Sequence, residues 1–460
     1  MSGFLADIAE VDAFLDAHPE IQFFDILFTG LSGVPRGKRL RRHELRAVYE
    51  NGRFLPLSVA VIDINGQDSD GTGLVWETGD ADSIARPVPG GIVPAPWLGG
   101  DVGQVMCSLH EPDGTPVDID PRAILARVVD RFRADGMTPV VACELEYYLV
   151  DAKRGRDGSV RLPRSPITGR ASEAPQAYGL PEIEDVAPFL RDLWAACDAQ
   201  AIPLEGVISE ASPGQYELTL AHKPDALRAA DEAVAYKRAA KGVARRHGME
   251  ATFMAKPWAD RVGSGLHLHV SVVDDAGTNL MASEEATGSP LLRHAIGGMA
   301  ALLPESVAIF APNQNSYRRF RANSYAPVAP TWGVNNRTVA LRIPAGKAHT
   351  RHIEHRVCGA DANPYLALAA MLAGVHHGIT ERIDPGPPVD GDGYAAAAAS
   401  GATLPTNWFD ALRLFEGSSV LANYFGERGA KMYAAMKRTE QARFFETVTT
   451  QDYDWYLGNA

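Results

Sequence analysis

Residues 138–150 read T-P-V-V-A-C-E-L-E-Y-Y-L-V. The run is rich in β-branched and aromatic residues, the composition of a strand. Within it Glu144 and Glu146 stand two positions apart, and residues i and i+2 of a strand face the same side. Two carboxylates side by side among Val, Leu and Tyr are costly unless a cation lies between them. On an exposed sheet the same pair would simply face solvent. The theme recurs further along. His267 and His269 share one face of a second strand in G-S-G-L-H-L-H, reached through Gly263 and Gly265. Glu210 and Glu217 bracket a P-G-Q-Y turn that can bring them together, and Glu354 lies in R-H-I-E-H-R. Several carboxylates and a histidine turned inward make a site for two or more hard divalent cations.

Seven arginines crowd around the last of these motifs: Arg318, Arg319, Arg321, Arg337, Arg342, Arg351 and Arg356. They alternate with apolar residues, as in T-V-A-L-R-I-P, which implies that several are held partly inside. A buried guanidinium needs an anion, and its fork suits carboxylate or phosphate. Acidic metal ligands beside clustered Arg are what an ATP-dependent enzyme uses to hold phosphate. There is no G-x-x-x-x-G-K-[ST] loop and no G-x-G-x-x-G after a strand, so ATP is not held by a P-loop or a Rossmann turn.

The 460 residues allow two or three domains, and 46% hydrophobic with 22% charged residues is an ordinary globular composition. A net charge of −13 argues against a nucleic-acid binder with a basic face. Cys107, Cys143, Cys197 and Cys358 form no C-x-x-C pair, so a disulfide framework or zinc ribbon is not expected and a reducing cytoplasm fits. The start, M-S-G-F-L-A-D-I-A-E, lacks a basic region followed by an apolar core, so no signal peptide is read. No apolar run is long enough to span a bilayer.

Periodicity predicts an α+β chain with a boundary near Pro112: residues 1–112 as a small unit and 113–460 as the larger one. In the first, 5–17 reads as a helix, 21–28 as a strand, 30–37 as a turn, 43–50 as a helix, the Pro/Gly-rich 87–100 as a loop and 103–109 as a strand. Beyond it, helices are expected at 121–135, 184–200, 224–248 and about 290–310. Strands are expected at 138–150, 202–209, 215–220, 250–256 and 265–273. The alanine tract at 395–400 reads as a surface connection.

Taken in order, these motifs resemble the glutamine synthetase family over nearly the whole chain. E-L-E-Y-Y-L, E-A-S-P-G-Q-Y-E, K-P-W-A-D-R-V-G-S-G-L-H-L-H, N-S-Y-R-R, N-N-R-T-V-A-L-R-I-P, H-I-E-H-R and D-A-N-P-Y-L are similar to that family's successive motifs. The resemblance implies an N-terminal β-grasp domain and a C-terminal catalytic domain of antiparallel strands and helices. It implies a homo-oligomer of two stacked rings, often of six subunits each, with active sites between neighbours. Glu146, Glu210 and Glu217 would hold one Mg2+ or Mn2+ ion. Glu144, His267 and Glu354 would hold another, nearer the ATP phosphates. Glu205, His269, Ser271 and Arg342 match nucleotide-contacting positions. Arg319 and Arg356 match the pair that grips glutamate, with Gly263 on the loop beside it, and Arg337 and Arg342 match the arginines that neutralise the transferred phosphate. The activity implied is ATP-dependent ligation of the glutamate γ-carboxylate through a γ-glutamyl phosphate.

The match breaks on the nucleophile side. In ammonium-using members two acidic residues serve ammonium; here Pro56 and Tyr325 stand at those positions, and Val262 replaces an Asn. The chain looks closest to the branch that joins glutamate to putrescine or other polyamines. Alternatives are ethanolamine, a monoalkylamine or an aromatic amine as acceptor, or glutamine synthesis with Asp63 or another carboxylate as the missing base. The family's adenylylation tyrosine has no counterpart, Tyr394 in D-G-D-G-Y being a poor substitute.

Overall fold

The computed structural model describes residues 5–174 and 176–460. Residues 1–4, the start of the stretch read as lacking a leader, lie outside them. Two sheets organise the chain. The first uses β1 (Phe23–Thr29), β2 (Pro35–Arg41), β3 (Arg53–Pro56), β4 (Asp82–Pro94) and β5 (Val102–His110). Its order is β2-β1-β5-β4-β3, with β1 and β5 parallel at the centre and the other pairs antiparallel. This is the β-grasp arrangement.

The second sheet has eight strands: β6 (Met137–Asp151), β7 (Leu204–Ser209), β8 (Gln215–Leu220), β9 (Met249–Thr252), β10 (Leu266–Asp274), β11 (Trp332–Val334), β12 (Leu341–Ile343) and β13 (Ile353–His355). They run in the order β11-β12-β13-β10-β6-β8-β7, with β9 also paired to β6. All pairs are antiparallel except β11 with β12. The helix Ala226–Arg246, capped by the Asp225 side chain on the Arg228 amide, packs against β6 and β9.

Polar ties join the two sheets' surroundings. Asn363 caps the helix Pro364–Glu381 by accepting from the Tyr365 amide (3.1 Å), and its own amide donates to Gly30 O at 3.0 Å. The buried Asp231 accepts from Arg122 Nε (3.0 Å) and from the Tyr365 hydroxyl (2.7 Å). Both charges are removed from water, so removing Arg122 would take from Asp231 its buried ion-pair partner.

Several expectations need correction. The Pro/Gly stretch 87–100 is not a loop throughout, because β4 continues to Pro94. A bulge between Pro87 and Ile92 absorbs the prolines and glycines, and a Cβ on Gly91 would lie 2.8 Å from Val88 O. The alanine tract is a helix, Gly393–Ser400, with Asp392 as N-cap and Gly401 as a left-handed C-cap; alanine propensity with both caps outweighs the loop that precedes it. The turn at 30–37 ends early, since β2 begins at Pro35. The helix expected at 184–200 is two, Leu180–Asp185 and Ala187–Ala199. The strand at 250–256 stops at Thr252. No helix among the described residues is long and apolar enough to cross a membrane.

Candidate active site

Strand register assembles the site. β6 turns Glu144 and Glu146 to one face. His267 on β10 stands opposite Glu144, and Glu217 on β8 stands opposite Glu146. One row along, His269 is opposite Glu354, and Glu354 is opposite Arg342. Residues directly across a ladder share a face, so these side chains converge. Glu210 joins them from the turn after β7, where its amide donates to Gln215 O at 2.9 Å.

His267 lies at the centre. Its Nδ1 is 3.3 Å from Glu144, 3.8 Å from Glu354 and 4.0 Å from Glu217, and its Nε2 is 3.9 Å from Glu146. Glu146, Glu210 and Glu217 each bring one oxygen within 4.8 Å of the others. Glu144 forms two further groups on the same criterion, one with His269 and Glu354 and one with Glu217 and His267. The expected second set, Glu144 with His267 and Glu354, therefore adjoins both His269 and Glu217.

Two kinds of carboxylate result. Burial alone would raise Glu354, but Arg356, His267, His269 and Arg342 hold it down at about 2. Arg342 Nη1 donates to it at 2.8 Å, and Arg356 makes a second close pair. Glu144 is likewise held well below the usual range by His267 and His269, against the effect of burial. Glu217 goes the other way. Burial, and then Glu144, Glu146, Glu210 and Glu354, push it up to about 9. Glu210 is raised by burial and by Glu146.

Like charges directly across a ladder destabilise a sheet, yet Glu146 and Glu217 are paired that way. A divalent cation removes the conflict, and an oxygen-rich set with an imidazole at its edge suits Mg2+ or Mn2+. The phosphate side fits as well. The buried Nε atoms of Arg319, Arg342 and Arg356 find no partner among the described residues. A buried donor without a partner is costly, and an anionic ligand supplies one. The site is distinct from a cavity of about 1020 Å3 lined by Trp97, Lys237, Lys241 and Phe253, which includes none of these ligands.

The glutamine synthetase catalytic-domain model matches residues 118–456. The chain belongs to the glutamine synthetase family. It is 40% identical to the γ-glutamylputrescine synthetase PuuA of Escherichia coli K12, across 98% of this chain and 95% of that protein. It is 32% identical to a γ-glutamylethanolamide synthetase of Streptomyces coelicolor, across 96% and 93%. The solved GmaS–ADP complex superposes with a TM-score of 0.85 at 30% identity, covering 99% of this chain and all of that one. As a glutamine synthetase family member, this chain is a carbon–nitrogen ligase.

The structure distributes the remaining family-matched residues unevenly. Arg319 and Arg356 are buried, and Arg319 Nη1 donates to Val357 O at 3.0 Å. Arg342 is half-buried, whereas Arg337 is exposed, with its Nη1 donating to the Tyr178 hydroxyl at 3.5 Å and its charge felt by Glu354 and Glu217. Arg318 and Arg321 are exposed too, so alternation with apolar residues overstated how many arginines turn inward. Ser271 follows His269 on β10, but Glu205 is exposed on β7, at the far edge of the sheet. The two are separated by three strand spacings, roughly 14 Å.

Tyr325 is 63% exposed, on a left-handed backbone (φ 57°), in a loop whose Ser324 Oγ donates to Arg319 O and Arg321 O. Pro56 ends the edge strand β3. Asp63 is fully buried and already engaged. Its Oδ1 accepts from the Asn65 and Gln67 amides and its Oδ2 from Arg443, so it anchors a loop to the C-terminal helices and is no free base. Sequence reasoning missed Gln215, whose Nε2 donates to Gly263 O (3.1 Å) and lies 3.4 Å from Glu146. It also missed His352 and His222. His352 was findable, two residues before Glu354 at a strand start; His222, past the end of β8, carried no signal.

Proposed function

We propose that this chain joins the γ-carboxylate of glutamate to an amine at the expense of ATP, with a putrescine-like polyamine as acceptor. The carrying observation is the intact convergence of five carboxylates and His267 with Arg319, Arg342 and Arg356, in a chain that has Pro56 and Tyr325 where ammonium-using family members carry acids. Identity of 40% to a γ-glutamylputrescine synthetase over nearly the full length supports the choice of amine.

A carboxylate is a poor electrophile at neutral pH. Its oxygen attacks the γ-phosphorus of ATP, ADP leaves, and a γ-glutamyl phosphate forms. The amine nitrogen then attacks the acyl carbon, the C–O bond to phosphate breaks, and the amine gives up a proton. Divalent cations bound by the glutamates supply Lewis-acid polarisation and charge neutralisation at the phosphates. Arg319 and Arg356 hold glutamate. Arg342, positioned by Glu354, and Arg337 spread the charge of phosphoryl transfer. His269 and Ser271 face the nucleotide, with Glu205 at its outer end.

This reading carries with it ATP as co-substrate, two or more Mg2+ or Mn2+ ions per site, a cytoplasmic setting and a β-grasp unit ending near residue 112. It also carries the stacked-ring homo-oligomer, supported by exposed apolar side chains such as Phe54, Trp455 and Leu457. ADP release measured with glutamate and a panel of amines tests it. Putrescine or a related amine should exceed ammonium in kcat/KM, and the reading fails if ammonium matches or beats every amine.

Gly263 gives a second test. A Cβ there would lie 2.5 Å from Arg319 Cγ and 2.9 Å from Ala255 O. The backbone oxygen cannot yield cheaply, so Arg319 must move. Gly263→Ala should raise the KM for glutamate about tenfold or more, the scale of about 1.4 kcal/mol of lost binding, with a smaller change in the KM for ATP. An unchanged glutamate KM would remove Arg319 from the glutamate site.

A further inference from the structure

His222, His269 and His352 form a cluster that the ligation reading does not use as a unit. His222 follows β8, His269 is on β10, and His352 precedes β13. Their ring centroids are 5.5 Å (His222–His269), 5.4 Å (His222–His352) and 5.2 Å (His269–His352) apart. One nitrogen of each ring lies within 4.8 Å of those of the other two.

The outer nitrogens have partners of their own. His352 Nδ1 is 2.8 Å from Thr350 O. A carbonyl only accepts, so Nδ1 carries the proton and the neutral ring presents its Nε2 lone pair inward. That Nε2 is 3.2 Å from His269 Nδ1. His269 Nε2 in turn faces Glu144 Oε1 at 3.1 Å, in ion-pair range although off the line of a hydrogen bond. An imidazole tied on its outer side to a carbonyl or carboxylate is the usual setting of a metal-binding histidine. Tetrahedral zinc with metal–nitrogen bonds of about 2.05 Å spaces its ligand nitrogens roughly 3.3 Å apart, close to the 3.2 Å found here. His222 is exposed and can turn its ring to complete the set.

We propose that His222, His269 and His352 bind one borderline-soft transition-metal ion, of the Zn2+, Co2+ or Ni2+ class, at a second site that adjoins the carboxylate centre through the His269–Glu144 contact. An all-imidazole set is a poor host for Mg2+, which prefers oxygen, and a good one for these ions. The fourth position stays open to water or to a phosphate oxygen. Occupation ties His269 to its histidine neighbours, so the ion opposes nucleotide use. That consequence rests on the proposed role of His269; the binding itself does not.

The test is a Co2+ titration of the full-length protein with saturating Mg2+ filling the oxygen sites, followed by the visible d–d absorption of tetrahedral Co2+. Zn2+ displacement gives the stoichiometry. One Co2+ per chain is expected, bound at least about tenfold more weakly by His222→Ala and by His352→Gln, with circular dichroism confirming that both variants are folded. His222→Ala should keep its Mg2+-supported turnover while losing inhibition by Zn2+. Absence of a tetrahedral Co2+ spectrum in the parent, or equal affinity in parent and both variants, overturns the site. Co2+ binding without any glutamate–amine ligation would leave the metal site standing and overturn the ligase reading alone.

Discussion

Glu217→Gln is expected to abolish ligation and, in metal-free protein, to remove a loss of stability that the parent suffers as pH rises. Activity should fall at least about 100-fold, because a ligand of the carboxylate centre is gone. The stability effect follows from the crowding of Glu217 by burial and four other glutamates, which lifts it to about 9. In the unfolded chain it titrates near its ordinary value, about 4.3. The native metal-free state therefore keeps a proton that the unfolded state gives up. Its stabilising contribution is complete below about pH 4.3 and is lost as pH rises towards 9. Metal-free parent should thus lose Tm across pH 5 to 9 relative to Glu217→Gln, whose amide cannot titrate.

Mg2+ should reverse the order. The cation takes the place of the proton, so its binding to the parent releases close to one proton per chain at neutral pH and stabilises more at high pH than at low. Calorimetric Tm values with chelator and with Mg2+ test the slopes, and titration in buffers of different ionisation enthalpy counts the proton. If chelated parent and variant show parallel Tm-against-pH lines, the crowding of Glu217 is not what the register implies.

This prediction needed the fold, since spacing along the chain gives a face but not a neighbour. That Glu144 and Glu146 point the same way, and His267 with His269, was legible from a period of two. That Glu146 meets Glu217 and His267 meets Glu144 depends on ladder register, which is set by residues far apart in sequence. The same limit explains Glu205. Its motif position matched a nucleotide contact, but only the strand order puts it at the far edge from Ser271. Composition misled where local chemistry had two outlets. Pro and Gly at 87–91 signal a loop as readily as a bulge inside a strand, and alanines after a loop signal a connection as readily as a capped helix. The histidine cluster was hidden for a third reason: its members come from three separate segments, and only His269 is singled out by its motif.

The nucleophile side is where one substitution should redirect the chemistry. Tyr325→Glu is expected to raise the ratio of kcat/KM for ammonium to that for putrescine by about 10- to 100-fold. Tyr325 follows Arg319 on a loop pinned by Ser324 Oγ to Arg319 O (3.1 Å) and Arg321 O (2.6 Å), so its position is tied to that of a proposed glutamate-binding arginine. Its ring is exposed and uncharged, a wall suited to the methylenes of an alkylamine and without attraction for a bare ammonium ion. A carboxylate there supplies a charge-assisted hydrogen bond worth about 1.5–3 kcal/mol, the stated range of discrimination by the conversion of about 1.4 kcal/mol per tenfold. The left-handed backbone at φ 57° costs Glu about what it costs Tyr, since neither is β-branched, so the loop should keep its course. Tyr325→Phe is the control: it preserves the wall and should leave the ratio near the parent's. The glutamate KM should hold in both variants, because Arg319 is untouched. An unaltered ratio in Tyr325→Glu, with glutamate binding intact, would mean that the choice between ammonium and amine is made elsewhere in the site.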